Sequence, residues 1–261
     1  MKEYKQAIIV GAAPMGKEKT RLLGILKWAG LIPPTGEEKK LASLSDCGGS
    51  CKTCKSACAG KEMVKDVYVV AADGGLQFLI QNKVTPDYWV GDMDSMDTSD
   101  DKKIQQIEKL IESIGHDKVP VEKDDTDTAL AVKKAYEEGY REILLFGCSG
   151  GNRISHTFAN VQLMCRYEKK GCHIKMMGET YQAEILMNGK IEYSKALKGS
   201  VSVICLSDEA KNVVIKGLKY EYTGNLTNEV ALGVSNSFVG QDGLIQVEDG
   251  ILLLIYESEN E

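Results

Sequence analysis

An alternation of apolar runs with helix-like segments covers about the first two thirds of the chain and limits the folds that it can adopt. The apolar runs have the length of buried strands, and the segments between them have the apolar spacing of amphipathic helices. Such alternation predicts a mainly parallel sheet with helices on its faces. The predicted strands are 7–10, 67–72, near 89, 119–121 and 143–146, and the predicted helices are 17–28, 76–80, 101–114, 128–138 and 156–169.

A different pattern begins at about Glu179, where short apolar runs alternate with turn residues. Asn-Gly and Asp-Gly between apolar runs favour β-hairpins. The turn dipeptides are Asn188-Gly189, Lys198-Gly199, Asp242-Gly243 and Asp249-Gly250. We therefore expect an α/β N-terminal domain with a mainly parallel sheet over residues 1–178, followed by a small all-β sandwich domain over 179–261.

Length and charge exclude several classes of function. A chain of 261 residues suits one large or two modest domains. Its net charge of -6, without long runs of one sign, argues against a nucleic-acid or membrane-surface binder. The start of the chain does not have the pattern of a signal peptide, and no apolar run is long enough to cross a bilayer. We expect a cytoplasmic enzyme.

Two acidic clusters about thirty residues apart are the strongest candidates for a functional site. Asp92 and Asp94 follow the predicted strand near 89, and Asp124, Asp125 and Asp127 precede a predicted helix. Ligands of open α/β sheets bind beyond the carboxyl ends of the strands. Carboxylates at this position suit magnesium, which is usually bound by a few carboxylates together with nucleotide phosphates. The alternative is that acidic residues only form turns and helix caps, and we accept it for Asp97, Asp100 and Asp101.

Four of the eight cysteines lie within twelve residues of one another, in an apparent insertion at about 31–64. Their spacing is C-x3-C-x2-C-x3-C, and in a cytosolic protein such clustering more often indicates metal binding than disulfides. The thiolates could close a zinc site or hold an iron–sulfur cluster. The alternatives are a loop whose thiols are merely reduced, and a redox or disulfide role. The four residues are Cys47, Cys51, Cys54 and Cys58.

Two glycine-rich segments resemble known catalytic loops without matching them. Residues 11–18 nearly form a phosphate-cradling loop, but Glu18 stands where a hydroxyl should reach magnesium. Residues 147–151 match a nucleophile elbow, but the acid and histidine that such a site needs later in the chain are not in place. We interpret 147–151 as an anion-binding turn, near which Arg153 has the donor fork suited to phosphate.

Taken together and in order, these segments resemble the thiamine pyrophosphokinase family from about residue 66 to the end, plus the first strand. The motifs of the first domain are 72–75, 86–95, 123–127 and 156–160 with Arg153, and those of the second domain are 217–220, 226–230 and 233–236. The resemblance implies transfer of diphosphate from ATP to thiamine with magnesium. It also implies a homodimer in which thiamine binds near the subunit interface.

The resemblance further implies the roles of individual residues. Magnesium would be held by Asp92, Asp94 and Asp127, with Asp124 beside them. The nucleotide would be lined by Asp73, Gly74 and Gly75, and its phosphates would be gripped by Arg153. Ser235 and Asn236 would approach thiamine from the second domain. Apart from the resemblance, phosphoryl transfer needs mainly positioning and charge neutralisation, and we nominate Asp124 or Asp127 as the carboxylate that accepts the proton of the alcohol.

One departure from the family pattern leaves two other functions open. Ser155 occupies the position where the family usually has an aspartate, two residues after the arginine. A related diphosphokinase for another alcohol, such as a hydroxymethyl pterin, would share the ATP and magnesium machinery. A catalytically impaired sensor of thiamine or nucleotide is the alternative of another class.

Overall fold

The computed structural model describes residues 6–29, 31–32, 67–92, 101–118, 124–151 and 154–257. Strands and helices alternate in its first part, as the sequence predicts. These elements are β1 (Gln6–Val10), α1 (Glu18–Trp28), β2 (Val67–Ala72), α2 (Gly75–Gln81), β3 (Tyr88–Gly91), α3 (Asp101–Ser113), β4 (Gly115–Lys118), α4 (Asp127–Glu137), β5 (Glu142–Phe146), α5 (Ile154–Glu168) and β6 (His173–Met177).

Only strands follow in the second part of the described chain. They are β7 (Tyr181–Met187), β8 (Lys190–Tyr193), β9 (Ser200–Cys205), β10 (Glu209–Lys216), β11 (Tyr222–Thr227), β12 (Gly233–Ser237), β13 (Gly243–Gln246) and β14 (Ile251–Glu257). An α/β region followed by an all-β region confirms the predicted fold class. None of the described helices is long and apolar enough to span a membrane.

One ten-stranded sheet runs through both parts, in the order β12-β9-β14-β7-β6-β5-β1-β2-β3-β4. Strands β1 to β6 are parallel to one another, whereas β7, β14, β9 and β12 continue the sheet with antiparallel pairs. A four-stranded antiparallel sheet, β11-β10-β13-β8, covers its second half. Because β6 pairs with β7, backbone hydrogen bonds cross the predicted boundary at residue 178, and that boundary stays a prediction.

The prediction that the Asn-Gly and Asp-Gly dipeptides form hairpins is wrong. Each of the four turn dipeptides lies between strands of different sheets, as at Asn188-Gly189, where β7 belongs to the ten-stranded sheet and β8 to the four-stranded one. In the described chain, the antiparallel partners that are also consecutive strands are β6 with β7 and β10 with β11. A tight turn reverses the chain in either case, and the apolar face of the next strand decides which sheet it joins.

Several strands gave no clear signal in the sequence. We did not predict β6, β8, β11 or β12, and the last two have polar sequences. Strand β4 is exposed at all four residues and comes before the predicted strand 119–121, which lies outside the described residues.

Three apolar clusters hold the layers together. One lies under α4 and α5 and another lies under α1, α2 and α3, on opposite faces of the parallel strands. The central strand β1 contributes to both clusters, which explains its continuous apolar run, Ala7 to Val10. The third cluster fills the space between the two sheets and includes Leu252 and Leu254 of β14.

Truncating Leu254, which is fully buried, should destabilise the protein more than truncating Leu197, which is 43% exposed. We expect Leu254→Ala to lower the free energy of unfolding by about 2–5 kcal/mol, because it removes buried methyl groups and leaves a cavity. Leu197→Ala should change it by less than about 0.5 kcal/mol. Urea denaturation followed by circular dichroism measures both, and equal effects would contradict this view of the core.

Candidate active site

The predicted acidic residues follow strands that end at one edge of the parallel sheet. Strands β1, β2, β3 and β5 are parallel, so their carboxyl ends, Val10, Ala72, Gly91 and Phe146, meet at that edge. Each helix that returns to the opposite edge must begin here. The segments 73–75 and 147–151, together with Asp92 and the start of α4, therefore converge, as the position of ligand sites in such sheets requires.

Asp73 is locked against the end of β3 by backbone contacts. Its amide donates to the carbonyl of Val90 at 2.8 Å, and its own carbonyl accepts from the indole Nε1 of Trp89 at 3.2 Å. A Cβ added to Gly91 would lie 2.9 Å from the Cα of Asp73, so only glycine allows this approach. Asp92 is the next residue, and the two half-buried aspartates are thereby brought together.

Gly75 allows α2 to start directly against the central strand. A Cβ on this residue would fall 1.9 Å from the carbonyl oxygen of Val10. Gly75 is buried and so acts through packing, whereas Asp73 and Gly74 are partly accessible at the edge. Their predicted contact with nucleotide stays a prediction.

The second acidic cluster divides into three different environments. Thr126 caps α4 by accepting a hydrogen bond from the amide of Ala129 at 3.1 Å, and this fixes Asp127, half-buried, in the first turn. Asp125 forms an ion pair with Arg166 of α5 at 3.6 Å. Asp124 is exposed. Asp127 is thus the member of the cluster that the helix holds rigidly at the edge.

The turn 147–151 is held from α5 by two side chains whose role the sequence analysis missed. The buried amide of Asn160 donates to the carbonyl of Cys148 at 2.6 Å, and the amide of Gly150 donates to the hydroxyl of Thr157 at 3.1 Å. The available signal was a polar Asn160 on the helix face that carries the apolar Leu163, Met164 and Tyr167. Since Gly150 uses its amide within the protein, this amide does not face an anion.

Neither side chain of this turn has the properties of a nucleophile. Ser149 is buried, unlike the exposed serine of a nucleophile elbow. Burial raises the pKa of the Cys148 thiol to about 12, and its sulfur lies 3.3 Å from the carbonyl oxygen of Phe146, to which it donates. The thiolate, which is the reactive form, is therefore scarce near neutral pH.

The loop 11–16 also uses its backbone amides in hydrogen bonds within the protein. The amides of Gly11 and Ala13 donate to the carbonyls of Phe146 and Gly147 at 2.8 and 2.9 Å. A phosphate-cradling loop needs such amides free for phosphate oxygens. These contacts are those of a turn that connects β1 to α1.

Some predicted site residues lie outside the described part of the chain. These are Asp94, Arg153 and the cysteines Cys47, Cys51, Cys54 and Cys58. Among the described residues, no group of three or more acidic, histidine or cysteine side chains is close enough to hold a metal ion. The predicted magnesium ligands Asp92, Asp94 and Asp127 stay a prediction, as does a zinc or iron–sulfur site.

In the second domain, Ser235 and Asn236 differ in accessibility. Ser235 is exposed, with a positive φ of 59°, and its amide donates to the hydroxyl of Ser202 at 3.0 Å. Asn236 is buried, and its side chain bonds both the amide and the carbonyl of Tyr220, at 2.9 and 2.7 Å. We therefore expect Asn236 to act by holding Tyr220, whose ring is exposed.

These second-domain residues are remote from the acidic edge within one chain. Ser235 belongs to β12 and Asp92 follows β3, eight strand spacings apart in the ten-stranded sheet. At a spacing of about 4.8 Å, eight spacings correspond to about 38 Å along the sheet. The structure does not bring Ser235 and Asp92 of one chain together.

Removal of the Asn160 amide should loosen the turn 147–151. In Asn160→Ala the buried carbonyl of Cys148 loses its donor, which costs about 1–3 kcal/mol of stability. Urea denaturation measures the loss. The matched control is Asn82→Ala, whose amide donates to the carbonyl of Phe78 at the accessible end of α2 and should matter less. A larger loss for Asn82→Ala would contradict the assigned role.

Comparison with known proteins agrees with this geometry. The family described as "Thiamin pyrophosphokinase, catalytic domain" matches residues 60–176, and "Thiamin pyrophosphokinase, vitamin B1 binding domain" matches residues 189–252. The thiamine pyrophosphokinase of Bacillus subtilis is 25% identical over 192 residues, covering 73% of this chain and 87% of that protein.

Solved structures show the same fold. A crystal structure of thiamine pyrophosphokinase from Bacillus subtilis covers 98% of this chain and 100% of its own, with a TM-score of 0.69 and 22% identity. The yeast thiamin pyrophosphokinase structure covers 98% of this chain and 87% of its own, with a TM-score of 0.68 and 15% identity. Matches to both domain families, in order along one chain, establish that this chain belongs to the thiamine pyrophosphokinase family of enzymes.

Proposed function

We propose that this enzyme transfers an intact diphosphate from ATP to the hydroxyethyl group of thiamine, giving thiamine diphosphate and AMP. The observation that carries the proposal is the convergence of Asp73, Asp92 and Asp127 at the carboxyl edge of the sheet, in a chain of this family. In diphosphate transfer, the protein must position the substrates and neutralise the phosphate charge. A cation bound at the acidic edge would provide the neutralisation. The cytoplasmic location expected from the sequence remains part of this proposal.

The residues of the edge fit magnesium, which prefers hard oxygen ligands. Asp92 and Asp127 supply carboxylate oxygens from rigid elements, and Asp94 follows two residues after Asp92. Magnesium bound there would neutralise the phosphate charge of ATP and stabilise the AMP leaving group. Arg153 would add a second positive charge beside the phosphates.

The alcohol proton also needs an acceptor. Asp124 and Asp127 are the candidates, and they differ in burial: Asp127 is half-buried in the first helical turn and Asp124 is exposed beside it. If Asp127 binds the cation, its lone pairs are engaged and Asp124 is left to take the proton. A carboxylate in this role must lie within hydrogen-bond reach of the hydroxyl.

The separation between the two halves of the site supports a homodimer. Thiamine would have to contact Ser235 and Tyr220 at one end of the ten-stranded sheet and ATP at Asp92 near the other end. A span of about 38 Å is far longer than the two substrates can bridge in one chain. A second copy of the chain can bring its own β12 against the acidic edge.

Two exposed apolar patches have positions that suit such a pairing. The first lies around β12 and consists of Tyr220, Val230, Leu232 and Val234. The second lies at the start of α5, where Ile154 is 71% and Phe158 is 66% exposed, one helical turn apart beside the acidic edge. In a two-fold dimer, the β12 patch of each copy would cover the α5 patch of its partner. The dimer would therefore contain two such contacts.

Incubating the protein with ATP, magnesium and thiamine tests the reaction directly. We expect thiamine diphosphate and AMP in equal amounts, separated by anion-exchange chromatography. Asp92→Asn should lower turnover by about a hundredfold or more, because losing a metal ligand removes several kcal/mol of charge stabilisation. The control is Asp249→Asn, an exposed aspartate of the second domain, which should keep full activity.

Other outcomes of this experiment decide between the alternatives. If product forms only from a hydroxymethyl pterin, the acceptor is that alcohol and not thiamine. Binding of thiamine or ATP without turnover would indicate a sensor, in line with Ser155 at the family's aspartate position. An Asp92→Asn variant as active as the wild type would remove the metal argument.

Mixing two inactive variants tests the shared site. Asp92→Asn damages the acidic edge and Tyr220→Ala damages the β12 patch, so a mixed dimer keeps one intact site with both halves unmodified. After unfolding and refolding together at equal amounts, the mixture should recover up to ~25% of wild-type activity, as random pairing of a two-fold dimer dictates. Separately refolded variants, combined at the moment of assay, are the control. No recovery in mixtures proven to contain mixed dimers would contradict the shared site.

A further inference from the structure

A buried hydroxyl of β9, that of Ser202, supports the neighbouring strand β12. In the part of the chain that the structure describes, the buried polar side chains are those of Glu18, Ser149, Asn160, Ser202 and Asn236. An unpaired polar group is costly to bury, so buried hydroxyls form hydrogen bonds. Ser202 is 8% exposed, and its hydroxyl accepts a hydrogen bond from the amide of Ser235 at 3.0 Å.

This contact completes a β-bulge in β12. The register of β12 against β9 shifts between Gly233 and Asn236. Two residues of β12, Val234 and Ser235, therefore lie opposite Ser202 alone. A bulge of this kind leaves its extra residue without a partner in the backbone ladder. The hydroxyl of Ser202 provides the acceptor that the ladder does not provide for the amide of Ser235.

Both ends of the bulge are fixed. At its start, a Cβ on Gly233 would collide with the carbonyl oxygen of Val203, so only glycine allows β12 to approach β9 this closely. At its end, the buried side chain of Asn236 bonds the backbone of Tyr220 at 2.9 and 2.7 Å. The backbone of Ser235 must therefore fit between two fixed points.

Ser235 adopts a conformation that serine does not prefer. Its φ of 59° lies in the left-handed region, where the Cβ of an L residue crowds the backbone. Bulges beside active sites turn a side chain in a direction that a regular strand does not allow. Neighbouring side chains of a regular strand point to opposite faces, whereas Val234 and Ser235 are both exposed. The hydrogen bond to Ser202 stabilises this arrangement.

We propose that Ser202 is a positioning residue for the acceptor substrate. It is buried and contacts no substrate itself; it holds Ser235 so that this side chain stays on the exposed surface that also carries the ring of Tyr220. The inference rests on the proposed function, in which thiamine contacts Ser235 and Tyr220. It adds a residue that lies outside the sequence motifs of the second domain.

Steady-state kinetics of full-length Ser202→Ala, with thiamine and ATP varied in turn, test the proposal. Without an acceptor for its amide, residue 235 leaves the left-handed region, and the KM for thiamine should rise by about tenfold or more. The KM for ATP should stay unchanged, because the residues predicted for ATP lie near the other end of the ten-stranded sheet. Ser202→Thr keeps the hydroxyl and should retain the wild-type KM for thiamine.

The matched control is Ser207→Ala. The hydroxyl of Ser207 also accepts from a backbone amide of the second domain, that of Ile251 at 3.1 Å, but away from β12. Its removal is the same chemical change and should leave both KM values unchanged. A loss of stability alone would affect the two variants alike, so this comparison separates positioning from a structural role.

A crystal structure of Ser202→Ala provides a measurement that does not depend on the reaction. We expect φ of residue 235 to become negative. If the wild type forms no thiamine diphosphate, the proposed reaction is wrong, and this φ still decides whether Ser202 holds Ser235. Ser202→Cys replaces Ser202→Ala if the latter does not fold, because a thiol fills the space and is only a weak acceptor.

Three results would overturn the proposal. The first is an unchanged KM for thiamine in folded Ser202→Ala, measured on a wild type that converts thiamine. The second is an equal rise of that KM in Ser207→Ala. The third is a positive φ at residue 235 in the crystal structure of Ser202→Ala.

Discussion

The contact between the start of α2 and the end of β1 is the constraint on which the acidic edge depends. The carbonyl oxygen of Val10 occupies the space that any side chain at residue 75 would need, with only 1.9 Å to a Cβ. Val10 cannot retreat, because β1 is the central strand and is buried on both faces. The helix start, and with it Asp73, is therefore positioned by the stiffest part of the fold. Rigid placement of this kind is what catalysis by positioning requires.

The continuity of the large sheet is the second constraint, and it acts at long range. Backbone pairing between β6 and β7 joins the parallel and antiparallel halves into one sheet. A hinge between two separate sheets could bring a thiamine-binding surface onto the acidic edge of the same chain. A continuous sheet resists such folding, so the two surfaces stay at opposite ends. In the dimer that we propose, two copies of the chain close the site, and no hinge is needed.

The sequence predicted the helices and strands better than their connections. Amphipathic spacing depends only on which face of an element is apolar, and it located the helices and the buried strands to within a few residues. The hairpins predicted at the turn dipeptides 188–189 and 249–250 do not form. A local turn does not determine which of the two sheets the next strand joins. Polar strands such as β12 were not predicted, because their stability comes from neighbouring strands rather than from their own sequence pattern.

Side chains that act on backbone were the least predictable part of the site. Asn160 and Asn236 have no local signal for their targets, which are the carbonyl of Cys148 and the backbone of Tyr220. Both pairs join elements that are separate in the sequence and meet only in the folded chain. The sequence motifs contain these residues, but only the folded chain shows that both side chains are buried and bonded to backbone.

The surface around Ser155 gives a physical reason for a serine at this position. It lies exposed in the first turn of α5, between Ile154 and the exposed ring of Phe158, on the patch that we propose the partner covers. A carboxylate there would lose its hydration when the dimer forms, unless a cation or an arginine fork met it. A serine hydroxyl loses far less, so the proposed dimer would bury this surface more easily than it would with an aspartate at residue 155. In the proposed reaction, the negative charge that remains for a cation would lie on the aspartates of the carboxyl edge, which backbone contacts to β3 and the cap of α4 hold in place.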